Sequence, residues 1–505
     1  MPIEQSMPLT MGFQTCSPKP MKITCLTIGT RGDVQPYIAL CQRLNELGHL
    51  CTIATHKNFR DWIESSGILF AEVEGDPEEL IEHCVEYGVL SPFFWWNGLS
   101  RFNPWFDGLL TSSWKACQGS DLLIESPSAL IGVHIAQSLN IPYYRAFTMP
   151  WTKTGAYFHA MLAMSDNWGS WINRMSYILF DLLIWAILST RINAWRQSVL
   201  GLDPTTFSQL RLDQVPFLYN FSSFVVPRPD DWKPWVKTTG YWFLNSQENA
   251  TSEKYPENSI PEDLRKVIHQ VKESRRKIVI VPDPEGMMNA IIEAVKEANV
   301  FAIVSGGWTA QHADRIHESS AMRAYIHQHL DSMYYVDSVP HGWLFEQIDA
   351  ALHHGGAGTT AASIRAGIPT MIKPFFGDQS FWARRVEHLG VGTHVKTFEK
   401  HDILRAIRRA TTDEDQINQA RLLGGQIRRE NGVDNAVKAI YEYLDYSQCL
   451  IETTRSLTSP SQPNQLSQVA TALKSKISSS VEAVYFYRPT TAQRRTDDGV
   501  YSSLV

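Results

Sequence analysis

Apolar positions along the chain alternate between two spacings. Residues 21–28 (MKITCLTI) form a short β-rich run and GTRGD turns the chain. VQPYIALCQRLNELGH then carries its apolar residues at helical intervals as far as Gly48. LCTIAT reads as a second strand and HKNFRDWIESSG as a second helix. The pattern returns at DLLIESP (121–127), ahead of a helix and the strand-like IPYYRAF. Such alternation is the mark of a parallel sheet wrapped by helices. The first half therefore reads as a doubly wound α/β unit with a helical insertion from about 152 to 200.

A polar stretch at 244–264 (LNSQENATSEKYPENSIPEDL) has few large apolar residues and several turn formers, and it reads as a linker. Beyond it the alternation restarts with KIVIVP, a helix through MMNAIIEAVKEA, then VFAIVSGG, MYYVDSVP, DAALHHGG, TMIKPF and a closing helical region. These signals predict a flexible leader (1–20), a first domain (21–245), a linker (246–270), a second domain (271–445) and a mostly disordered tail (446–505) rich in Ser, Thr and Gln. The most apolar stretch, SYILFDLLIWAILS (176–189), is interrupted by Asp181 and falls short of the roughly 20 residues a spanning helix needs. It reads as a buried or interfacial helix.

Composition narrows the function classes. Hydrophobic residues make up 44% and charged residues 19%, as in a globular enzyme, and 505 residues suffice for two cores. A net charge of -6 gives no reason to expect nucleic acid. The seven cysteines (16, 25, 41, 51, 84, 117, 449) have no metal-ligand spacing, and their odd number points to a reduced, cytoplasmic chain. The N-terminus has no apolar run of the secretory type.

Two segments carry candidate chemistry. AALH running into HGGAGTT and the helix-like TAASIRAG puts bare backbone amides at a helix N-terminus, where an anion can approach closely. His354 can add a hydrogen bond, and the residues suit a diphosphate, although no Lys follows the last Gly as in a Walker loop. A close-packed strand–helix turn would look much the same. In ITCLTIGTRGDVQP, Asp33 follows the first strand's carboxyl end, where open α/β sheets place their sites. It could be a general base for a bound hydroxyl or simply the N-cap of a helix with Pro36 in its first turn, and position alone leaves both open.

Six segments together resemble a known family. GTRGDVQPYIALCQRLNELGH, LIESPSALIGVHIAQ, YYRAFTMPWTKT, VPHGWLF, HHGGAGTTAASIRAGIP and PFFGDQSFWARRV, in this order, resemble the fungal and plant sterol 3-β-glucosyltransferases over residues 21–445. The resemblance implies the GT-B fold, two Rossmann-like doubly wound domains facing a central cleft, and inverting transfer of glucose from UDP-glucose to a sterol 3β-hydroxyl. It implies Asp33 as the general base, with Thr30 and Arg31 facing the sugar and phosphates. Ser338, Val339 and His341 match the uracil and ribose segment, and His354, Ala357, Gly358 and Thr359 match the diphosphate cradle. Asp378 and Gln379 match the pair that grips the sugar hydroxyls, while His353 is expected to pack. UDP-glucose is a co-substrate, and no cofactor or metal is expected.

Thirteen of the sixteen tryptophans lie before residue 245, so FFWWN (93–97), NPWFDG (103–108), MPWTKT (149–154) and the 171–188 segment are expected to line a broad apolar pocket. That suits a sterol or terpenoid acceptor and transient contact with a membrane surface. One departure from the family pattern stands out. RRKIVIVPDPEG enters the second domain without a GFGS-type loop before Ile278, which also fits a catalytically weakened sterol- or nucleotide-binding homologue. A glycosyltransferase acting on a terpenoid or polyketide alcohol of secondary metabolism is the nearer rival.

Overall fold

The computed structural model describes residues 19–75, 92–162, 168–244, 260–282, 288–306, 331–337 and 339–458. The leader before Lys19, most of the linker, the 283–287 stretch, Ser338 and the chain beyond 458 lie outside the described residues, as do the side chains of 93–97.

Two parallel sheets organise the chain. The first contains β1 (Lys22–Leu26), β2 (Leu50–Thr55), β3 (Leu69–Glu72), β4 (Leu122–Glu125), β5 (Tyr143–Phe147), β6 (Phe217–Tyr219) and β7 (Val236–Thr238), in the order β3-β2-β1-β4-β5-β6-β7. The second contains β8 (Ile278–Pro282), β9 (Phe301–Ser305), β10 (Met333–Val336), β11 (Ala350–His353), β12 (Thr370–Ile372) and β13 (Gly392–His394), in the order β10-β9-β8-β11-β12-β13. Both orders reverse once, between β1 and β4 and between β8 and β11. Doubly wound sheets bind ligands outside the carboxyl ends of strands at that reversal. The strands carry apolar residues on both faces, as sheets covered by helices on each side require.

Around the first sheet lie α1 (Arg31–Glu46), α2 (Arg60–Ser65), α3 (Pro92–Ala116), α4 (Gly132–Leu139) and the long α5 (Ser170–Trp195). With the second sheet run α6 (Glu262–Glu273), α7 (Met288–Ala298), the single turn α8 (His341–Leu344), α9 (Ala357–Ala366), α10 (Gln379–His388), α11 (Lys400–Thr412) and α12 (Glu414–Arg428). The chain then crosses back through α13 (Gly432–Glu442) and α14 (Leu444–Thr458). Ala436, Val437 and Ile440 of α13 join the core on one face of the first sheet, and Leu450 and Ile451 of α14 join the core on the other.

This return corrects two expected boundaries. The expected second domain ended at 445, but α13 packs on the first sheet. The expected disordered tail began at 446, yet α14 continues to Thr458. Its Ser and Thr content resembles that of a solvated tail, yet Ser447, Thr453 and Thr454 are buried and its inner face is held by contacts far away in sequence. The linker is shorter than expected as well, because α6 begins at Glu262. The shortened entry to the second sheet leaves β8 intact. IVIVP pairs with β9 on one side and β11 on the other.

A third core joins the halves. Phe221, Val225, Val226 and Trp232 from the first pack with Phe381, Trp382, Val386 and Ile427 from the second. Arg385, itself buried, donates from Nε and Nη2 to the Val225 carbonyl at 3.0 and 2.7 Å. Ser222 Oγ donates to Glu430 Oε1 at 2.8 Å.

Ser447, fully buried on α14, accepts from the Tyr143 amide at 2.8 Å and donates to the Tyr143 carbonyl at 2.8 Å. Ser447→Ala leaves that amide unpaired inside the protein, at a cost of about 1–3 kcal/mol. Thermal melting is expected to show a drop in Tm of a few degrees. An unchanged Tm would mean that α14 adds nothing to the first domain.

Candidate functional site

The first half of the site is the turn between β1 and α1. Thr30 is the N-cap of α1, and Asp33 stands at the third helical position and completes a capping box. Of the two readings left open for Asp33, the N-cap place itself goes to Thr30, whose Oγ1 reaches the Gly32 amide at 3.3 Å. Asp33 Oδ2 accepts from the Thr30 amide at 2.8 Å and from Thr30 Oγ1 at 3.1 Å. Oδ1 has no protein partner among the described residues. The bend that brings the carboxylate back requires glycine at 29, where φ is +130° and a Cβ would lie 2.4 Å from Asp33 Oδ2. Protein closely surrounds the carboxyl although the residue keeps a solvent-reachable edge. Burial raises its pKa, and the two Thr30 hydrogen bonds pull it back down. Arg31 lies over the Trp62 ring at 4.3 Å.

The second half is the turn between β11 and α9. Gly355 has φ +93°, and a Cβ there would strike Ile372 at 2.4 Å. A Cβ on Gly356 would lie 2.7 Å from His354 Nε2, so the bare backbone makes room for the imidazole. Gly356 is the N-cap of α9 and supplies no side-chain acceptor, which leaves the amides of Ala357, Gly358 and Thr359 at an uncapped helix start. His354 is exposed in the cleft, yet neighbouring atoms crowd its ring and lower its pKa. His353 packs as expected. Its Nδ1 accepts from the Gly355 amide at 3.0 Å, and burial holds its pKa well below the usual value.

The two halves meet. A Cβ on Gly358 would lie 3.7 Å from Gly32 Cα, so the starts of α1 and α9 approach van der Waals contact. His341 opens α8 and stacks on Phe345 at 4.9 Å. Its pKa falls to about 4 through burial, with His354 and Arg31 adding to the shift. Thr30, Arg31, Asp33, His341, His354 and Gly358 are thus one neighbourhood. Val339 departs from the expectation for its side chain, which is buried in the core under β8 and β9 and leaves only backbone for a ligand. Ala357 packs partly against the core shared by the two halves.

Asp378 and Gln379 complete the far wall. The Trp382 indole donates to Asp378 Oδ2 at 2.6 Å. Burial pushes the Asp378 carboxyl up to about 6 against the pull of that bond, and the like charge of Asp33 raises it further. Gln379 is nearly buried, and its Oε1 accepts from the amides of Phe375 and Phe376 at 2.8 and 3.2 Å. Its Nε2 remains for a ligand. Trp382 and Trp62 were not expected site residues. The first could have been noticed four positions after Asp378, one helical turn along the same face. Among the described residues no group of three or more His, Cys, Asp or Glu side chains is placed to hold a metal ion.

A cavity lies against β4 and β5 and under α5. Trp151, Phe180, Ile184, Trp185 and Leu188 line it together with Arg145 and Asp181. Trp151, Trp185 and the inner face of the 171–188 segment line it as expected, whereas Trp105 packs in the core instead. The helical run Ser170–Leu200 is long and apolar enough to span a bilayer, with a mean hydropathy of 1.5 over its best window, contrary to the shorter reading of 176–189. Yet Tyr177, Phe180, Leu188, Ile192 and Trp195 are buried, so one face is committed to protein.

Comparison with known proteins follows this geometry. Residues 23–158 match the glycosyltransferase family 28 N-terminal domain, and residues 316–434 match the erythromycin biosynthesis protein CIII-like C-terminal domain. A sterol 3-beta-glucosyltransferase of Cryptococcus neoformans var. neoformans is 48% identical over 465 residues, 90% of this chain and 29% of that protein. One from Neurospora crassa is 49% identical over 446 residues, 86% of this chain and 28% of that protein. The chain thus spans under a third of these relatives. Among solved structures, the kitacinnamycin glycosyltransferase (TM-score 0.59, 16% identity) covers 85% of this chain and all of its own. The calicheamicin glycosyltransferase CalG4 (TM-score 0.56, 14% identity) covers 85% of this chain and 99% of its own. The fold is GT-B.

The position of Asp378 has a consequence for stability. Folded, it keeps its proton up to about pH 6, whereas an unfolded Asp releases it near 3.9. The folded state binds more protons across that interval, so this group makes stability fall as pH rises from about 4 to 6. Asp378→Asn keeps an acceptor for Trp382 and has no such proton. The difference in Tm, variant minus wild type, is expected to be larger at pH 7 than at pH 4. Melts at the two pH values check this, and a pH-independent difference rules out the raised acid.

Proposed function

By sequence the chain belongs with the sterol 3-beta-glucosyltransferases, and from that membership we propose that it transfers glucose from UDP-glucose to the 3β-hydroxyl of a sterol, inverting the anomeric carbon. The observation that carries this reading is the meeting of the two half-sites, with an unpartnered carboxylate oxygen on one and an uncapped helix start on the other. The diphosphate lies at the start of α9, where free amides and the helix dipole favour negative charge, with His354 and Arg31 beside it. His341 and the backbone at Val339 hold the nucleoside. Asp378 and the Nε2 of Gln379 bind the sugar hydroxyls.

The acceptor oxygen attacks C1 while the bond from C1 to the diphosphate oxygen breaks. The acceptor proton passes to Asp33 Oδ1, and UDP leaves with the bonding pair. Burial makes Asp33 a stronger base than an ordinary carboxylate, and Thr30 fixes the other oxygen so that Oδ1 keeps one orientation. Preorganised amides meet the charge that develops on the leaving group, and the scheme needs no metal. The acceptor enters from the cavity beside β4 and β5.

Asp33→Asn preserves the acceptor for the capping box and removes the base. Product formation from UDP-glucose and ergosterol, followed by mass spectrometry, is expected to fall by about 10² or more. UDP binding measured by calorimetry is expected to stay within a few fold. Undiminished turnover in the variant removes Asp33 from the reaction, and absent turnover in the wild type with intact UDP binding leaves a nucleotide-binding homologue.

The same reading has the enzyme work in the cytoplasm against a membrane surface, with the outer face of α5 as the contact. Trp171 is 72% exposed, and Leu179, Leu182 and Leu183 are also exposed, as is Trp168 just before the helix. Arg174 and Arg191 flank the leucines of the stripe, and the one charge between them, Asp181, lines the cavity. Co-sedimentation with phosphatidylcholine–phosphatidylserine vesicles is expected to drop several-fold in Trp171→Ser/Leu182→Ser, with turnover of detergent-dissolved sterol retained. Equal sedimentation excludes α5 as the contact.

A further inference from the structure

The cavity beside β5 is mostly apolar, with Glu125, His134, Arg145 and Asp181 among its lining residues. Arg145 sits in the middle of β5, in register with Glu125 on β4 and Phe217 on β6. Only 6% of it is exposed, and it lines the cavity. Its Nε is buried with no hydrogen-bond partner, and Glu125 beside it on β4 feels its charge without forming a hydrogen bond to it. The guanidinium lies over the Phe217 ring at 5.4 Å. Across the cavity stands Asp181 of α5, also without a hydrogen bond or ion pair among the described residues. The two are close enough for Arg145 to lower the Asp181 pKa, yet they do not touch.

Other buried polar groups nearby are more fully paired, although Arg196 Nη2 and Gln137 Nε2 also lack a partner. Glu125 accepts from the Ile131 and Gly132 amides at 2.8 and 2.6 Å and from the Tyr143 hydroxyl. Arg196 donates to His134, Gln137 and the Asp203 carbonyl. Removing charge from water without a hydrogen-bond partner is costly, and proteins normally pair such groups. A cation and a carboxylate held apart across a gap fit a guest that can both accept and donate. A neutral hydroxyl does both, accepting from Arg145 and donating to Asp181. A keto oxygen or a hydrocarbon cannot.

We propose that Arg145 and Asp181 form a second polar station in the acceptor cavity, which binds a hydroxyl of the acceptor remote from the one that is glucosylated. The preferred acceptor is then a polycyclic diol rather than a sterol with a purely hydrocarbon skeleton beyond its reacting hydroxyl. The spacing is suitable. Arg145 lies two strands from β1, whose loop carries Asp33, and two strand spacings are roughly 10 Å, the scale of a fused ring system. Burial raises the Asp181 carboxyl to about 6, as expected for an acid facing an apolar space.

This proposal rests on the acceptor reading above, and its test separates the two. Cholesterol is compared with cholesterol derivatives carrying one added hydroxyl at different ring or side-chain positions. The wild type is expected to favour at least one derivative by about tenfold or more in KM, with kcat little changed, as fits a hydrogen bond to a charged group. Arg145→Met and Asp181→Asn are each expected to lose that preference while retaining turnover of cholesterol. Tryptophan fluorescence of Asp33→Asn titrated with the same panel reads the preference without catalysis, through Trp151 and Trp185 in the cavity wall. Turnover of cholesterol with no favoured derivative, or a preference that survives both substitutions, overturns the station and leaves the glucosyl transfer standing. A fluorescence preference without any turnover supports the station and overturns the transfer.

Discussion

The structure depends on bringing two helix starts almost into contact. Each helix start carries partial positive charge, and two such ends facing each other gain nothing in the absence of an anion. Here Gly32 and Gly358 face each other, and the missing Cβ atoms let the two backbones come this close. Something must hold the halves in this position. The shared core around Phe221, Phe381 and Trp382, the Arg385 grip on the Val225 carbonyl and the return of α13 and α14 to the first sheet do so. A cleft of this kind is a structural fact before any substrate arrives, and its electrostatics are arranged in advance.

Within the cleft, several groups are divided between the fold and the ligand. Asp33 gives one oxygen to Thr30 and keeps the other. Asp378 gives Oδ2 to Trp382. Gln379 gives its carbonyl to two loop amides and keeps its nitrogen. Committing half of each group fixes the rotamer, so the remaining atom meets a substrate with little orientational entropy left to lose. The two readings of Asp33 left open at the level of sequence, helix cap and base, are compatible in this geometry, because the capping box uses one oxygen and fixes the direction of the other.

Much of this was legible in the chain and some was not. Strand–helix alternation announced both sheets, since each parallel strand must be followed by a covering helix and leaves its period in the sequence. HHGGAGTT and GTRGD announced the turns because they need backbone without side chains. Composition failed for α14, whose place is set by Ser447 on Tyr143, 304 residues away. Val339 looked like part of a nucleoside segment, but a side chain's direction depends on the register of the strand before it. Arg145, inside YYRAF, read as one more strand residue, because nothing local records that its Nε is buried without a hydrogen bond.

The long helix α5 links the cavity to the outer surface. Helices apolar around their whole circumference are found in large cores or in lipid, and those of surface helices are polar on one side. Here one face packs on the first sheet and walls the cavity, while the opposite face presents Trp171, Leu179 and Leu182 to the outside. Packing alone explains only the first of these faces. If the outer face rests in the headgroup region, an oily alcohol leaving the bilayer meets the same helix on both sides of its path, and the water it must cross is reduced to the mouth of the cavity. Asp181, in the middle of this helix, is then the last apolar stretch's single interruption for a reason: it faces inward, where Arg145 is.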